Sequence, residues 1–467
     1  MRTRPYTFLE LTNSICSRCL AKVEAKVVQR DGRIYMLKHC SRHGAEEVLI
    51  ATDADYYRRA RSIERPSEMP LRFNTKIQHG CPYDCGLCPD HEQHSCLAIV
   101  EVTDRCNLTC PICYADSSPA RSPHRSLEQI ESMFDAIVAN EGHPSIVQIS
   151  GGEPAMHPEF FAILDAARQR PIQHLMLNTN GVKIGEDRDF VERLATYKQG
   201  FEVYLQFDSL HTSSLEELRG VDLRDVRRAA IDHLNEFGIS TNLVVVVKKG
   251  LNDGELGEIV EYALEQPCVR GVTFQPIQIA GRVANFEPAK HRLTLTEVRD
   301  NLLEQSDVFS SEDVIPVPCH PDCVAMAYAL KVDGDVHPLT RYVDLDQLAG
   351  AAGATISFER SDALRDHMIR LFSAANSPES GQVHLQNLLC CLPQVQLLDG
   401  LTYENVFRVT IMKFMDCYDL DVRSVKKACV HFVHPNDNRI IPFDTYNIFY
   451  REGCEETWRD VVGANEL

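Results

Sequence analysis

No stretch of this 467-residue chain offers the roughly 18 to 20 apolar residues that a membrane-spanning helix needs. The strongest apolar run, Leu243 to Val247, ends at Lys248 and Lys249. Met1 to Glu10 lack the apolar core and small-residue cleavage site of a secretory signal. Positive charge is scarce: 48 Lys+Arg stand against 67 Asp+Glu, and the net charge of −19 argues against a nucleic-acid backbone as the main partner. Low-complexity tracts are missing, as are internal repeats apart from one reused cysteine pattern. With 44% hydrophobic and 25% charged residues, the composition excludes wholesale disorder. A soluble, cytoplasmic protein of roughly three domains is expected.

What is abundant is cysteine, with 18 in the chain and ten of them within the first 113 residues. A reducing cytosol disfavours disulfides, and a chain this long can stabilise itself by core burial, so the clustered thiols read as metal ligands. The first group is Cys16-Ser-Arg-Cys19 with Cys40-Ser-Arg-His43. Strand-like residues from Ala25 to Leu37, with an Asp31-Gly32 turn, lie between its two halves. Two knuckles of this kind suit one tetrahedral ion, zinc or mononuclear iron. The second group is Cys81, Cys85 and Cys88, followed by Cys96, and the third is Cys106, Cys110 and Cys113. Both carry C-x3-C-x2-C, which wraps three thiolates around one corner of a [4Fe–4S] cubane. Cys96 is positioned to close the second cluster, whereas no cysteine follows the third closely, leaving one iron open.

From Leu97 onward, strands and helices alternate. Strands are predicted near Leu97–Thr103, Ser145–Ser150, His174–Asn178, Glu202–Phe207, Thr241–Val247 and Val269–Gln275. The helix after the first strand has Ser126 as N-cap and Gln129 at the capping-box position. The alternation implies an α/β fold with a parallel sheet, a partial (β/α)6 barrel about three-quarters of the eight-stranded closure. Chemistry is expected at the carboxyl ends of such strands. There stand the third cysteine group with Tyr114, then Gly151-Gly152-Glu153-Pro154, Asn178 and Asn180, Gln206 and Asp208, and Gln275, with Gly281-Arg282 just beyond. The expected organisation is a metal-binding knuckle domain (1–66), an auxiliary-cluster segment (67–96), the barrel (97–290) and a C-terminal α+β extension (291–467).

C-x3-C-x2-C followed by an aromatic residue, with Gly-Gly-Glu-Pro at the end of the next strand, resembles the radical S-adenosylmethionine (radical SAM) superfamily. The order Cys-x2-Cys, Cys-x2-His-Gly, Cys-x3-Cys-Gly-Leu-Cys-Pro and Val-Thr-Asp-Arg-Cys-Asn-Leu is further similar to the tetraether lipid synthases, a family that includes a member associated with pterin methylation. That likeness extends to Cys319-His-Pro-Asp-Cys323, Pro338-Leu-Thr-Arg341, Phe414-Met-Asp416 and Cys429-Val-His431. It implies a [4Fe–4S] cluster on Cys106, Cys110 and Cys113 that binds S-adenosylmethionine, with Glu153 holding its ammonium. It also implies a rubredoxin-like iron in the first cysteine group, an auxiliary [4Fe–4S] cluster in the second, and a third cluster in the C-terminal part, for which Cys319, Cys323, Cys417 and Cys429 are available. The chain departs from the family where Ala428 and Asp444 stand in place of cysteines.

The implied reaction is hydrogen abstraction by a 5′-deoxyadenosyl radical leading to carbon–carbon bond formation between lipid chains, with methylation of a pterin or other small heterocycle as the alternative. Either way the implied partners are a small-molecule or lipid substrate and a low-potential electron donor such as ferredoxin or flavodoxin. A lipid substrate would add peripheral contact at the membrane surface. A bare iron–sulfur electron carrier would leave Gly-Gly-Glu-Pro without purpose. Cys390, Cys391 and Cys454 read as structural thiols, and the basic run from Tyr56 to Arg61 with Arg65 as a solvated helix face.

Overall fold

The computed structural model describes residues 4–62, 69–121, 124–317, 319–332, 335–338 and 405–451. Cys390, Cys391, Cys454, Arg65 and Arg341 lie outside the described residues. The N-terminal strands β1 (Thr7–Ile15), β2 (Lys22–Arg30), β3 (Arg33–Cys40) and β4 (Gly44–Ala51) form an antiparallel meander in chain order. Asp31 and Gly32 both take positive φ, 50° and 73°, which gives the β2–β3 hairpin the tight turn that suits strand twist. Lys38, buried on β3, donates from Nζ to the carbonyls of Ile15 (2.9 Å), Cys417 (3.2 Å) and Tyr418 (2.7 Å). A Thr12 hydroxyl bond to Asp421 (2.6 Å) and an Arg423–Glu10 ion pair reinforce this docking of the ribbon on the C-terminal region. Helix α1 (Ala54–Ser62) follows, and its Arg61 pairs with Asp322 at 2.8 Å rather than standing free in solvent.

The second sheet contains the expected strands, β5 (Leu97–Glu101), β6 (Ile146–Ser150), β7 (His174–Thr179), β8 (Phe201–Gln206), β9 (Thr241–Val247) and β10 (Val269–Pro276), all in parallel register. Two strands from beyond residue 290 extend it: β12 (Val406–Met412) runs parallel to β10, and β13 (Val430–Val433) runs parallel to β5. Eight consecutive parallel strands result, flanked by antiparallel β11 (Val324–Val332) and β14 (Ile440–Pro442). The stretch expected as a separate extension therefore contributes to the same sheet. Its two parallel strands, separated by a five-residue helix at Val422–Lys426, are apolar runs broken by Arg408 and His431.

On the outer face, helix α2 (Leu127–Glu141) buries Ile130, Met133, Phe134 and Ile137, spaced three and four apart, into the core with Ala98, Val100, Val147 and Ile149. Ser126 caps α2 by accepting from the Gln129 amide at 3.2 Å. The Gln129 side chain turns away to the Pro435 carbonyl (2.9 Å), so only half of the capping box forms.

Alternate residues face inward. On β8, Phe201, Val203 and Leu205 join the outer core, which leaves Glu202, Tyr204 and Gln206 to the lumen. The fully buried Glu202 receives two bonds from Arg408 of β12, at 2.6 and 2.7 Å, with His174 beyond it at 3.8 Å. Nearer the mouth, Asn242 bonds Thr273 (2.8 Å) and Gln275 bonds the Tyr204 hydroxyl (3.2 Å). Buried apolar packing on this inner face is a small cluster of Ile146, Met176, Tyr204 and Val244. No helix among the described residues is long and apolar enough to cross a membrane.

Candidate active site and metal-ligand groups

The loop from Val102 to Tyr114 leaves the end of β5 and carries the third cysteine group. The end of β6 lies directly on it: Gly152 N donates to Thr103 O (2.7 Å) and Glu153 N to Arg105 O (2.9 Å). A Cβ on Gly152 would sit 2.2 Å from Arg105 O, and one on Gly151 would sit 2.3 Å from Thr103 O. The paired glycines thus admit the cysteine loop's own backbone. On the loop's other side, Arg282 pairs with Cys113 and Val283 with Ile112 in a two-residue ladder. Arg282 donates from Nε to Cys110 O (2.6 Å), from one terminal nitrogen to Asp116 (2.8 Å) and from the other to Ser117 O (2.8 Å). Arg282→Ala removes all three clamps. It is expected to lower S-adenosylmethionine cleavage by roughly 10 to 100-fold through misplacement of the loop, with the loss of bound iron measured in the same sample.

Behind the loop, a polar network spans the strand ends. Glu153 is fully buried; its carboxylate accepts from Ala155 N (3.1 Å), Thr179 Oγ1 (2.7 Å) and Asn180 N (2.8 Å). Burial pushes its carboxyl up to about 7 against those three donors. Glu153, the expected ammonium holder, thus also ties the ends of β6 and β7 together. Asn180 reaches the Cys106 sulfur (3.7 Å) and Asn107 (2.7 Å). Asn178 bonds Ser150 (3.0 Å), which meets the Tyr114 hydroxyl (3.0 Å), and accepts from Gln206 (2.7 Å). Gln206 in turn accepts from Arg219 (3.1 Å). Pro154 opens a single 3-10 turn after the glycines.

Asp208, expected to face a cofactor, is fully buried and engaged twice by Arg219 (2.6 and 2.5 Å) and once by Arg227 (3.1 Å). Burial raises the Cys106 thiol to about 12 and also raises Cys110, where the Arg219 guanidinium opposes the rise. Arg219, at the end of helix Thr212–Arg219, and the buried Glu101–Arg451 pair (3.1 Å) belong to no motif in the sequence. The Arg451 guanidinium lies 5.4 Å from the Tyr114 ring centroid. The only local sign at Arg219 is Gly220, a left-handed helix cap with φ 81°.

The first cysteine group converges as its spacing predicts. The ligand atoms of Cys16, Cys19, Cys40 and His43 all lie within 4.8 Å of one another, with Cys16 Sγ 3.4 Å from His43 Nδ1 and Cys19 Sγ 3.8 Å from Cys40 Sγ. Burial raises the Cys40 thiol, but the amides of Arg42 and His43 and the His43 ring outweigh it and bring the thiol down to about 6. In the second group, Cys85 N donates to the Tyr450 hydroxyl (2.9 Å), and burial pushes the Cys85 and Cys88 thiols up.

Cys96 departs from the expected arrangement: its sulfur joins Cys319 and Cys429, all within 4.8 Å of one another. The cause is register, because Leu97 pairs with Val430 in parallel, which sets the preceding residues, Cys96 and Cys429, side by side. Cys323 and Cys417 fall outside this triad; the Cys417 carbonyl accepts from Lys38, and burial raises its thiol to about 12.

The sequence is similar to known proteins along most of its length. Residues 100–263 match the Radical SAM superfamily, and residues 8–52 match the HMPTM N-terminal zinc ribbon domain. The 7,8-dihydro-6-hydroxymethylpterin dimethyltransferase of Methanocaldococcus jannaschii is 30% identical, over 95% of this chain and 94% of its own. A GTP 3′,8-cyclase of Shewanella denitrificans is 25% identical over 47% of this chain and 64% of its own, a little under two thirds of that relative. Among solved structures, Streptococcus suis SuiB bound to S-adenosylmethionine aligns with a TM-score of 0.37 and 18% identity, over 44% of this chain and 46% of that one.

Proposed function

The chain belongs to the radical S-adenosylmethionine superfamily and, within it, to the family of the Methanocaldococcus jannaschii pterin dimethyltransferase, and we propose that it is a methyltransferase acting on carbon of a reduced pterin. The observation that carries this reading is similarity to that relative along nearly the whole chain, from the zinc ribbon to the last strands. The [4Fe–4S] cluster and S-adenosylmethionine of this superfamily supply a 5′-deoxyadenosyl radical able to take hydrogen from unactivated carbon.

In this reading Cys106, Cys110 and Cys113 hold the cluster. Arg282 and the Gly151-Gly152 backbone fix their loop, while Asn178, Asn180, Gln206 and Tyr114 line the cofactor's side of the mouth and Gln275 the substrate's side. Arg219, beside Cys110 and Gln206, offers a guanidinium to the cofactor's carboxylate. A low-potential donor such as ferredoxin or flavodoxin supplies the electron. The auxiliary group of Cys81, Cys85 and Cys88 serves product formation rather than cleavage.

The inner face of the barrel supports a flat polar heterocycle over lipid chains. A pterin needs hydrogen-bonding partners along its edge and apolar contact on its faces. Asn178, Gln206, Gln275 and Asn242 offer the former, and Met176, Tyr204 and Val244 the latter. A long acyl chain would need a continuous apolar path, which the buried Glu202–Arg408 pair interrupts.

The test is an anaerobic assay of reconstituted, reduced enzyme with S-adenosylmethionine, offered a 6-hydroxymethyl dihydropterin and a lipid extract in parallel. A pterin heavier by one CH2 unit per transfer is expected. An unchanged pterin beside a lipid product lighter by two hydrogens per new bond would replace this reading with chain coupling.

A further inference from the structure

We propose that Arg451 is a positioning residue of the cofactor site, whose guanidinium fastens together the two ends of the cysteine loop and fixes the Tyr114 ring that faces S-adenosylmethionine. The inference deepens the reading above and rests on its placement of Tyr114 at the cofactor's side of the mouth. What carries it is a closed circuit of contacts that joins residues 350 apart in the chain.

The loop leaves β5 after Glu101 and ends at Tyr114, directly after Cys113. Both of these residues meet one guanidinium. Arg451 donates from its two terminal nitrogens to the Glu101 carboxylate, at 3.1 and 3.3 Å, and its guanidinium carbon lies 5.4 Å from the Tyr114 ring centroid. The β5–β6 register places Glu101 beside Ser150, and Ser150 meets the Tyr114 hydroxyl at 3.0 Å. The circuit from Arg451 through Glu101 and Ser150 to Tyr114 therefore closes on itself. From Ser150 the polar network continues through Asn178 and Gln206 to Arg219.

Arg451 is itself held before it reaches the loop. Its amide donates to Tyr446 O (2.9 Å) and its Nε to Asn447 Oδ1 (2.8 Å), and Asn447 in turn donates to Phe443 O (3.0 Å). These bonds brace the π-helical turn Tyr446–Tyr450, a form frequent at functional sites. The rings of Phe432 and Tyr446 stand 5.3 and 5.1 Å from the guanidinium, so with Tyr114 three aromatic rings surround one cation. Such contact is stronger in a desolvated site than at a surface, and here Glu101 and Arg451 are both buried. A buried charge without a partner is costly, which ties the guanidinium to Glu101 and so to the start of the loop. Phe432 and Phe443 also pack against the Tyr114 ring, with centroids 6.2 and 5.6 Å away. Apolar packing of that kind is non-directional, whereas the ion pair sets where the loop begins relative to where it ends.

The test is equilibrium binding of S-adenosylmethionine to the full-length, cluster-reconstituted enzyme left unreduced, with iron per chain and the urea midpoint taken from the same preparation. Arg451→Ala is expected to raise the dissociation constant about 10-fold with iron retained, an effect within the range that contacting residues show. Arg451→Lys returns a cation to the rings and is expected to recover part of that loss. Because Arg451→Ala strands Glu101 in a buried site, the paired variant Glu101→Gln/Arg451→Met removes both charges; it is expected to regain the wild-type urea midpoint while binding stays weak. Since Arg451 acts through Tyr114, adding Arg451→Ala to Tyr114→Leu should weaken binding by less than about 2-fold further. Multiplication of the two losses, or wild-type binding in either Arg451→Ala or the paired variant, would overturn the assignment. No pterin enters the measurement, so failure of the methylation reading leaves this result standing, and a failure here leaves methylation standing.

Discussion

Alanine at Cys106, Cys110 and Cys113 together is expected to abolish reductive cleavage of S-adenosylmethionine, a fall of more than about 1,000-fold of the kind seen when groups that act as a unit are removed. The magnitude follows from the division of labour in such enzymes, where the cluster and its ligand carry the bond-breaking chemistry and the protein cannot substitute for them. The fold should survive, because the loop is held by backbone contacts the substitution leaves in place, Gly152 to Thr103, Glu153 to Arg105 and Arg282 to the Cys110 carbonyl. Iron held elsewhere should also remain, since Cys81 to Cys88 are anchored separately through Leu87 to Ile440 O (2.9 Å) and Cys85 to Tyr450. The contrast is Cys85→Ala, expected to spare uncoupled cleavage and depress methylated product. Quantifying 5′-deoxyadenosine and product in one reaction separates the two. Cleavage that persists in the triple variant would mean that the cluster is held by other residues.

Much of this site was legible because local chemistry announces it. A three-cysteine loop after a strand, and two glycines before a glutamate after the next, are short-range patterns whose structural context can be read from periodicity. All six strands expected from Leu97 to Gln275 appear within two residues of their predicted bounds. What escaped depends on contacts between distant segments. The Cys96 partner is set by β5–β13 pairing across more than 300 residues, and no local pattern encodes that register. Strand β12 sits beside β10 because Arg408 needs Glu202 and the apolar Phe407, Val409 and Ile411 fill the outer core, yet its seven residues read alone as any buried run. Glu153, implied as an ammonium holder by the Gly-Gly-Glu-Pro likeness, and Asp208, just past β8, are also buried among protein donors, because a carboxylate without solvent must be satisfied, and those contacts join segments that no local pattern connects.

The Asp208 knot gives the second large effect. Asp208→Ala leaves Arg219 and Arg227 buried against each other with no counter-charge, and breaking a buried pair by removing one partner costs about 3 to 5 kcal/mol. Here one carboxylate serves two guanidiniums and also receives the Val246 amide at 3.2 Å, so the upper part of that range is expected in urea unfolding. Arg227 already bears the strain of burial, which lowers it to about 10. Burial would raise the Asp208 carboxyl, but Arg219 and Arg227 outweigh it and hold the group below its ordinary value near 3.8. The pair therefore contributes its full stability above that value. The contribution declines as pH falls through the lower folded value, so the gap between wild type and variant should narrow only in strong acid.

Activity should fall with stability. Arg219 is held by Asp208 against Gln206 and beside Cys110, and once released it has no fixed position from which to meet the cofactor. Adding Arg227→Met to Asp208→Ala removes one stranded charge and should recover part of the stability without recovering cleavage, because Arg219 remains untethered. Recovery of both together would reduce the knot to a purely structural role, whereas recovery of stability alone assigns Asp208 the positioning of Arg219.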